Sequence, residues 1–414
     1  MFNQYSQFTT FKPAHSSQSR LKGSSSLHVS QHAKVGLSTS LGNTQVTVPD
    51  LAAHIVKPHQ ETRKERYELR AELQKLTDSK RFKACGRTPV SCGGVMLRMT
   101  STKDGARAGL AGLSTCGSVW LCPVCSAKVA AQRADEVTSV IKGGIKAGLS
   151  AYMLTLTLRH DKAHTLDQVQ KAVNSGWRAI TSGRTGQSLK AKYGLKGWLK
   201  AVEITWSPLN GWHVHLHVLV FLEPSNGSVE SLKLTIWKAW KRGIGKHYMN
   251  AHANAGGLDF QPVLDDSGAL GYYLTKQARS AAQEAVMGST KLAQGKNLTP
   301  FQLGAYAAKT GDLEVLEAWQ EYAQYTHGKK QLTWSRGLRE LVELDPEQSD
   351  EEIASKEFGS SADDVLLLPS WTWGHVYRQV PNVLSMLENE GVKAVISWLE
   401  SQGLSYAPPP GADR

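Results

Sequence analysis

The chain has 414 residues, 41% of them apolar, enough for a sizeable core or for two or three smaller domains. Its net charge is +12, but 343–364 holds nine acidic residues and one lysine, leaving 47 basic against 27 acidic residues elsewhere. A basic body points to a polyanionic partner. No apolar run approaches the ~20 residues of a membrane span. The Met1-Phe-Asn-Gln-Tyr start lacks a secretory signal, so the expected partners exclude membranes and the expected location is cytoplasmic.

Residues 1–60 are rich in Ser, Gln, His and Thr and are expected to form a disordered arm, since they offer little apolar surface to offset ordering entropy. From residue 61 the pattern turns helical and highly charged. All five cysteines follow as Cys85-x6-Cys92 and Cys116-x5-Cys122-x2-Cys125. Such clustering in a reducing compartment argues for metal rather than disulfides, and Cys122-Pro-Val-Cys125 is a knuckle able to supply two thiolates to a tetrahedral ion. A helix is expected over 126–146.

The 151–158 run is continuously apolar and β-branched and reads as a buried strand. It leads to His160, a candidate substrate contact or structural cap. A helix over 165–180 and strands over 197–206 and 211–222 come next, the strands joined by turn residues Ser207-Pro-Leu-Asn-Gly211. A helix is expected over 229–242, a short strand over 257–263, and then a helix carrying Tyr272, Tyr273 and Lys276. After a connector at 284–299, two helices and a basic stretch with Trp334 lead to the acidic segment and a small helical region. The expected domains are therefore 1–60, a charged helix with a zinc-binding element at 61–147, a catalytic domain at 148–342, an acidic linker at 343–365, and a helical appendage at 366–414.

The most informative stretch is Gly211–Leu222, where His213, His215 and His217 alternate with Val214, Leu216 and Val218. Strand side chains alternate between faces, so the imidazoles share one face and the apolar residues the other. Neighbours at i, i+2 lie about 6.6 Å apart, and those at i, i+4 about 13 Å. His213 and His217 cannot then bind one ion, and a third ligand must come from elsewhere. Glu203, on the preceding strand, is the candidate. A carboxylate with two imidazoles and open positions suits Mg²⁺ or Mn²⁺ acting on a phosphate.

His215-Leu-His217 followed by Val-Leu-Val resembles the His-hydrophobic-His motif of the HUH endonucleases. Trp212-His-Val-His-Leu-His-Val-Leu219 is similar to the rolling-circle replication initiators of bacterial plasmids. Tyr152-Met-Leu-Thr-Leu-Thr-Leu158 resembles that family's first strand motif, and Tyr273-x-x-Lys276 its nucleophile motif, in the same chain order. The resemblance covers roughly residues 85–341.

The resemblance implies an α+β fold: an HUH-type central antiparallel sheet flanked by helices, with an N-terminal zinc-binding element and a small helical C-terminal appendage. It implies that Glu203, His215 and His217 hold Mg²⁺ or Mn²⁺, and that Tyr273 attacks a phosphodiester assisted by Lys276. Tyr272 and His213 are auxiliary candidates. It also implies a structural Zn²⁺ on Cys85, Cys116, Cys122 and Cys125, leaving Cys92 spare. The expected partners are plasmid origin DNA (nicked strand and hairpin), a host helicase, single-strand binding protein and DNA polymerase. Single-tyrosine members carry an acid one helical turn before the nucleophile, where this chain has Ala269. Two rival readings remain: a relaxase or single-strand transposase of the same class, and a non-enzymatic zinc-containing DNA-binding regulator, which would leave the histidine row idle.

Overall fold

The structure, a computed structural model, describes residues 59–102, 105–224, 227–250, 256–263, 297–356 and 362–410. In chain order its elements are α1 (His59–Lys75), α2 (Lys80–Ala84), β1 (Val95–Thr102), β2 (Gly105–Ala111) and α3 (Pro123–Lys146). Next come β3 (Ser150–Leu156), α4 (Leu166–Thr181), α5 (Gly183–Tyr193), β4 (Leu195–Ser207), β5 (Gly211–Leu222), α6 (Val229–Gly245) and β6 (Leu258–Pro262). The rest comprises α7 (Pro300–Thr310), α8 (Leu313–Thr326), β7 (Leu332–Trp334), α9 (Leu338–Leu341), α10 (Asp350–Ser355), β8 (Asp363–Leu368), α11 (Ser370–Val376), α12 (Val380–Glu390) and α13 (Val392–Ser401).

The class is α+β, with antiparallel sheets flanked by helices. The main sheet is five-stranded in the order β6-β3-β5-β4-β7, and every neighbouring pair in it is antiparallel. The β4–β5 hairpin is the longest pairing, running from Ser207↔Gly211 to Leu195↔Leu222. Its even-numbered β5 residues Val214, Leu216, Val218 and Val220 are buried in the largest core, together with Val169 and Val173 of α4 and Ile236 and Trp240 of α6.

The other face of β5 is divided. Leu219 and Phe221 are buried with Val137, Val140 and Ile141 of α3. A Cβ on Gly144 would lie 2.5 Å from the Phe221 ring, so α3 reaches this sheet only because residue 144 has no side chain. The odd positions at the opposite end of the same face are His213, His215 and His217. One helix therefore covers half the face, and the imidazoles occupy the other half.

A second sheet, in the order β2-β1-β8, joins chain segments more than 250 residues apart, with Val95↔Leu368 and Leu97↔Leu366 in register. Val95, Leu97 and Ala108 share a core with Leu366, Leu368, Trp373, Leu384 and Leu399. The region read from sequence as a helical appendage thus contributes the second half of β8 and most of a shared core. Asp363-Asp-Val-Leu-Leu-Leu368 shows no apolar–polar alternation, so the strand is visible only in its pairing with β1.

The segment expected as an acidic linker carries α10 and the start of β8. Arg133 of α3, buried, binds Glu136 at 2.8 Å and Asp350 at 2.9 Å and donates to the Gln348 carbonyl at 2.6 Å. Ile353 and Ala354 enter the main core. Charge that reads as solvated in sequence is here partnered by cations from distant elements. No helix among the described residues is long and apolar enough to cross a membrane. The expected 1–60 arm lies outside the described residues, except at the start of α1.

Candidate metal centres and active site

The hairpin register places Glu203 opposite His215, Thr205 opposite His213 and Ala201 opposite His217. Directly paired residues share a face, so Glu203 joins the histidine row. Its carboxylate Oε2 lies 2.8 Å from His217 Nε2 and 3.6 Å from His215 Nδ1. From the other side β3 aligns Thr155 with His217, and Thr155 Oγ1 sits 3.3 Å from His217 Nδ1. The hydroxyl holds the ring so that Nε2 faces the carboxylate. Candidate ligand atoms of Glu203, His215 and His217 all fall within 4.8 Å of one another, His217 buried and the other two half-buried. One carboxylate and two imidazoles, with Glu203 and His215 partly exposed, fit a divalent cation that must still reach a substrate oxygen.

His213 and His160 stand beside this trio. His160 lies just beyond β3 in a loop anchored at several points: Arg159 N–H donates to the Asn250 carbonyl, and Trp240 Nε1–H donates to the Thr157 carbonyl. His160 Nδ1 is 2.9 Å from the Asn210 carbonyl, in the β4–β5 turn. Its Nε2 contacts His213 Nδ1, and His213 Nε2 in turn contacts His215 Nε2. Sequence reading flagged both residues but gave no reason to join them, because the contact runs between a loop and a strand 53 positions apart.

Thr155 and Asp259 were not singled out from the sequence. Asp259 of β6 is the register partner of Thr155, so it lies on the same face two strands from β5. A lone polar residue at odd parity in Tyr-Met-Leu-Thr-Leu156 was the available signal for Thr155.

The second cluster is four sulfurs. Cys85, Cys116, Cys122 and Cys125 are all buried, with ligand atoms within 4.8 Å of one another, whereas Cys92 is exposed. The Sγ···Sγ distances are 3.8 Å for Cys85–Cys122, 3.6 Å for Cys85–Cys125 and 3.7 Å for Cys116–Cys125. A tetrahedral ion at about 2.3 Å from each sulfur would separate them by about 3.8 Å. The cluster has those dimensions.

Local structure builds this geometry. Cys122 is the N-cap of α3, with Pro123 following, and its sulfur accepts from Cys125 N–H at 3.4 Å. Cys116 Sγ accepts from Ser118 N–H at 3.5 Å. Burial pushes the Cys122 thiol well up. Burial also works against the charge of Arg70, but Cys122, Tyr67, Cys85 and Cys125 outweigh it and raise its pKa.

Residues 108–375, well over half of the chain, match a family of replication proteins. The chain belongs to that family. Among its relatives is a "Protein rep" from Streptomyces lividans, 27% identical over 297 residues, which are 56% of this chain and 65% of that protein. A second "Protein rep", from Lentilactobacillus hilgardii, is 24% identical over 225 residues, covering 53% of this chain and 63% of the relative. A "Neomycin resistance protein" from Streptomyces cyanogenus is 28% identical over 145 residues, 29% of this chain and 33% of its own length. The chain thus spans a little under two thirds of the two replication proteins it matches. No solved structure matches.

The family's match takes in both clusters except Cys85, which lies before its first residue. The resemblance to replication initiators drawn from the histidine row agrees with it. Tyr272, Tyr273, Lys276 and Ala269 lie within the matched span but outside the described residues.

Proposed function

We propose that the chain is a plasmid rolling-circle replication initiator of the HUH type, which nicks one strand at the double-strand origin and rejoins it at termination. The observation that carries the reading is the Glu203–His215–His217 donor set on the half of the β5 face that α3 does not cover, in a chain belonging to a replication-protein family.

Glu203, His215 and His217 would hold Mg²⁺ or Mn²⁺, which when bound supplies positive charge at the scissile phosphate. Thr155 and the strand register keep the donors converged. Tyr273 Oη attacks phosphorus, the P–O3′ bond breaks, and the departing 3′ oxygen takes up a proton as the free 3′-OH. The tyrosine proton passes to a neighbouring base or to solvent, and the strand remains joined through a 5′-phosphotyrosine. Lys276, three residues on, would stabilise the phenolate or the phosphate. Rejoining reverses the steps, because the phosphodiester energy stays in the covalent link.

Cys85, Cys116, Cys122 and Cys125 would bind structural Zn²⁺, since four thiolates leave no open position. The zinc would tie α2 to the start of α3, the helix whose other end covers the β5 face. Origin DNA is the substrate, and host helicase, single-strand binding protein and polymerase would act on the exposed strand and the free 3′-OH.

The test is incubation with supercoiled plasmid carrying the cognate origin and Mn²⁺, followed by denaturing electrophoresis. Nicked circles with protein joined to the 5′ end are expected, and Tyr273→Phe should give no adduct. Duplex binding without any nick under these conditions would favour a DNA-binding regulator instead.

A further inference from the structure

The helices behind the main sheet carry charge that the Glu203–His215–His217 trio does not use. α5 and α6, with the C-cap Lys246, hold eight lysines and arginines against one acid, Glu230. The two helices run antiparallel: Tyr193 Oη at the end of α5 is 2.6 Å from Ser231 Oγ near the start of α6. At the other end Arg242 of α6 donates to Thr185 Oγ1 at 3.1 Å. Leu232, Ile236 and Trp240 turn one side of α6 into the core, so Leu234, Lys238 and Lys241 point outward at about 100° per residue. Arg184, Lys190, Lys233, Lys238, Lys241 and Lys246 have no side-chain partner among the described residues. Lys238 with Lys241, and Lys238 with Arg242, stand at spacings where like charges destabilise a helix. A polyanion on this face would offset that cost.

The face leads to the site. Beyond Lys246 comes Tyr248, 95% exposed, with φ at +60°, a backbone conformation disfavoured for a bulky residue. Two residues later the Asn250 carbonyl accepts from the N–H of Arg159, the exposed neighbour of His160, at 2.9 Å. Approach from α8 is electrostatically opposed. That helix reaches Trp212, next to His213, through Glu321 at 2.7 Å, and it carries Glu314, Glu317 and Glu321 with no lysine or arginine.

We propose that the outer face of α5 and α6 is a docking surface for the duplex DNA that flanks the nick, gripped by its phosphates without sequence readout. Contacts of this kind position DNA and leave sequence to other residues. Single-strand sites alternate cations with stacking aromatics. Between these cations the exposed side chains are instead Leu234, Gln187 and Ala191, and Trp237 packs on the core. A duplex, with two rows of phosphates, is the better match. The 17 residues of α6 span about 25 Å, most of the roughly 34 Å of one duplex turn. At the end nearest the site, the Tyr248 ring is placed to stack where base pairing gives way. The proposal rests on the nicking reading only for which DNA is held.

The test is the affinity of full-length protein for a duplex of about three helical turns lacking origin sequence, measured between about 50 and 200 mM salt without Mn²⁺. Arg184→Gln, Lys190→Gln, Lys238→Gln and Lys241→Gln together should lower the slope of log affinity against log salt by about 3–4, at about 0.9 per lost phosphate contact. Removing four exposed lysines elsewhere, with Lys142→Gln, Lys146→Gln, Lys309→Gln and Lys393→Gln, should lower it by less than about 1. Equal effects of the two sets, or a wild type that does not bind duplex, overturns the proposal. So does a loss confined to single-stranded DNA, which would make the face a strand contact. Nicking of a short single-stranded origin oligonucleotide with Mn²⁺ should proceed at the wild-type rate in the α5–α6 variant, and a loss there would place the face in the reaction instead. A wild type that binds duplex in this manner yet nicks nothing defeats the nicking reading and leaves the docking surface standing.

Discussion

Glu203 is the register partner of His215, yet its carboxylate makes its closest contact, 2.8 Å, with the diagonal neighbour His217. A carboxylate reaching along the strand to the next imidazole lets two ligands separated by one residue converge on one point. Glu203→Gln keeps the shape and removes the charge. Metal-dependent nicking should fall by about 100-fold or more in Glu203→Gln and in His217→Ala, the scale of losing a charge-stabilising contact in a transition state. Nicking rates measured across a Mn²⁺ titration would check this, with origin binding retained. Wild-type rates in either variant would remove the trio from the reaction.

The cysteines separate into four that act together and one that does not. Metal analysis should find about one zinc per chain. Cys122→Ser should lose the metal and the cooperative thermal transition, because Cys122 both supplies a sulfur and caps α3. Cys92→Ser, at an exposed site, should change stability by no more than about 0.5 kcal/mol. Normally folded, zinc-free Cys122→Ser would show that the cluster is merely packed thiols.

Gly86 tests the wall behind that cluster. Its φ is +62°, and an added Cβ would lie 2.0 Å from Arg70 Nη1. Gly86→Ala must both adopt a left-handed backbone and displace a buried guanidinium from beside Cys122 and Cys85. A loss of about 1–3 kcal/mol in chemical denaturation is expected. A neutral result would mean that Arg70 moves freely and contributes no charge to the sulfurs.

Arg133 holds the acidic segment in place. Its side chain is 7% exposed, and its partners Glu136 and Asp350 are 13% and 24% exposed. Arg133→Ala would leave those carboxylates partly buried without their cation, at a cost of about 3 kcal/mol. Urea unfolding should show the loss, and 0.5 M salt should restore little of it because the pair is shielded from solvent.

The parts of the fold legible in the sequence are those whose information is local. The alternation from His213 to Leu222 fixes a strand and its two faces, and the Ser207–Gly211 turn fixes the hairpin that brings Glu203 alongside. The cysteine spacing marks a metal-binding knuckle at Cys122 and Cys125, whereas the choice of Cys85 and Cys116 beside it came from the family resemblance. What stayed hidden depends on long-range pairing. Nothing near His160 announces His213, since their contact is set by how β3 and β5 align. The charge of 343–364 suggests solvent, because Arg133, Arg98 and Arg81, which meet its acids, come from elsewhere in the chain.

The same long-range logic makes a final prediction about the C-terminal region. Read by composition, residues 366–414 are a small helical appendage. In the structure β8 is an edge partner of β1, and Arg98 meets Asp364 at 2.6 Å. Trp373 Nε1–H donates to the Arg87 carbonyl at 2.7 Å. Glu388 binds Arg63 of α1 at 2.8 Å and accepts from Ala108 N–H at 2.8 Å. Truncation after Ala362 would expose Val95 and Leu97, both now at 0% exposure, at about 1.5–3 kcal/mol each. It would also strip Glu388 from Arg63 and leave a bare β1 edge open to aggregation. Against a typical domain stability of about 5–15 kcal/mol, these losses should leave the 1–362 chain aggregated or protease-sensitive through α1 and β1–β2. Residues 363–414 alone should be destabilised, because β8 would lose its pairing with β1 and Val95, Leu97 and Ala108 would leave their core. Circular dichroism and limited proteolysis of both fragments, and of the two mixed, would decide it. Co-expression should restore a protected complex, and a 1–362 chain with the full-length melting temperature would show that the C-terminal region is separable after all.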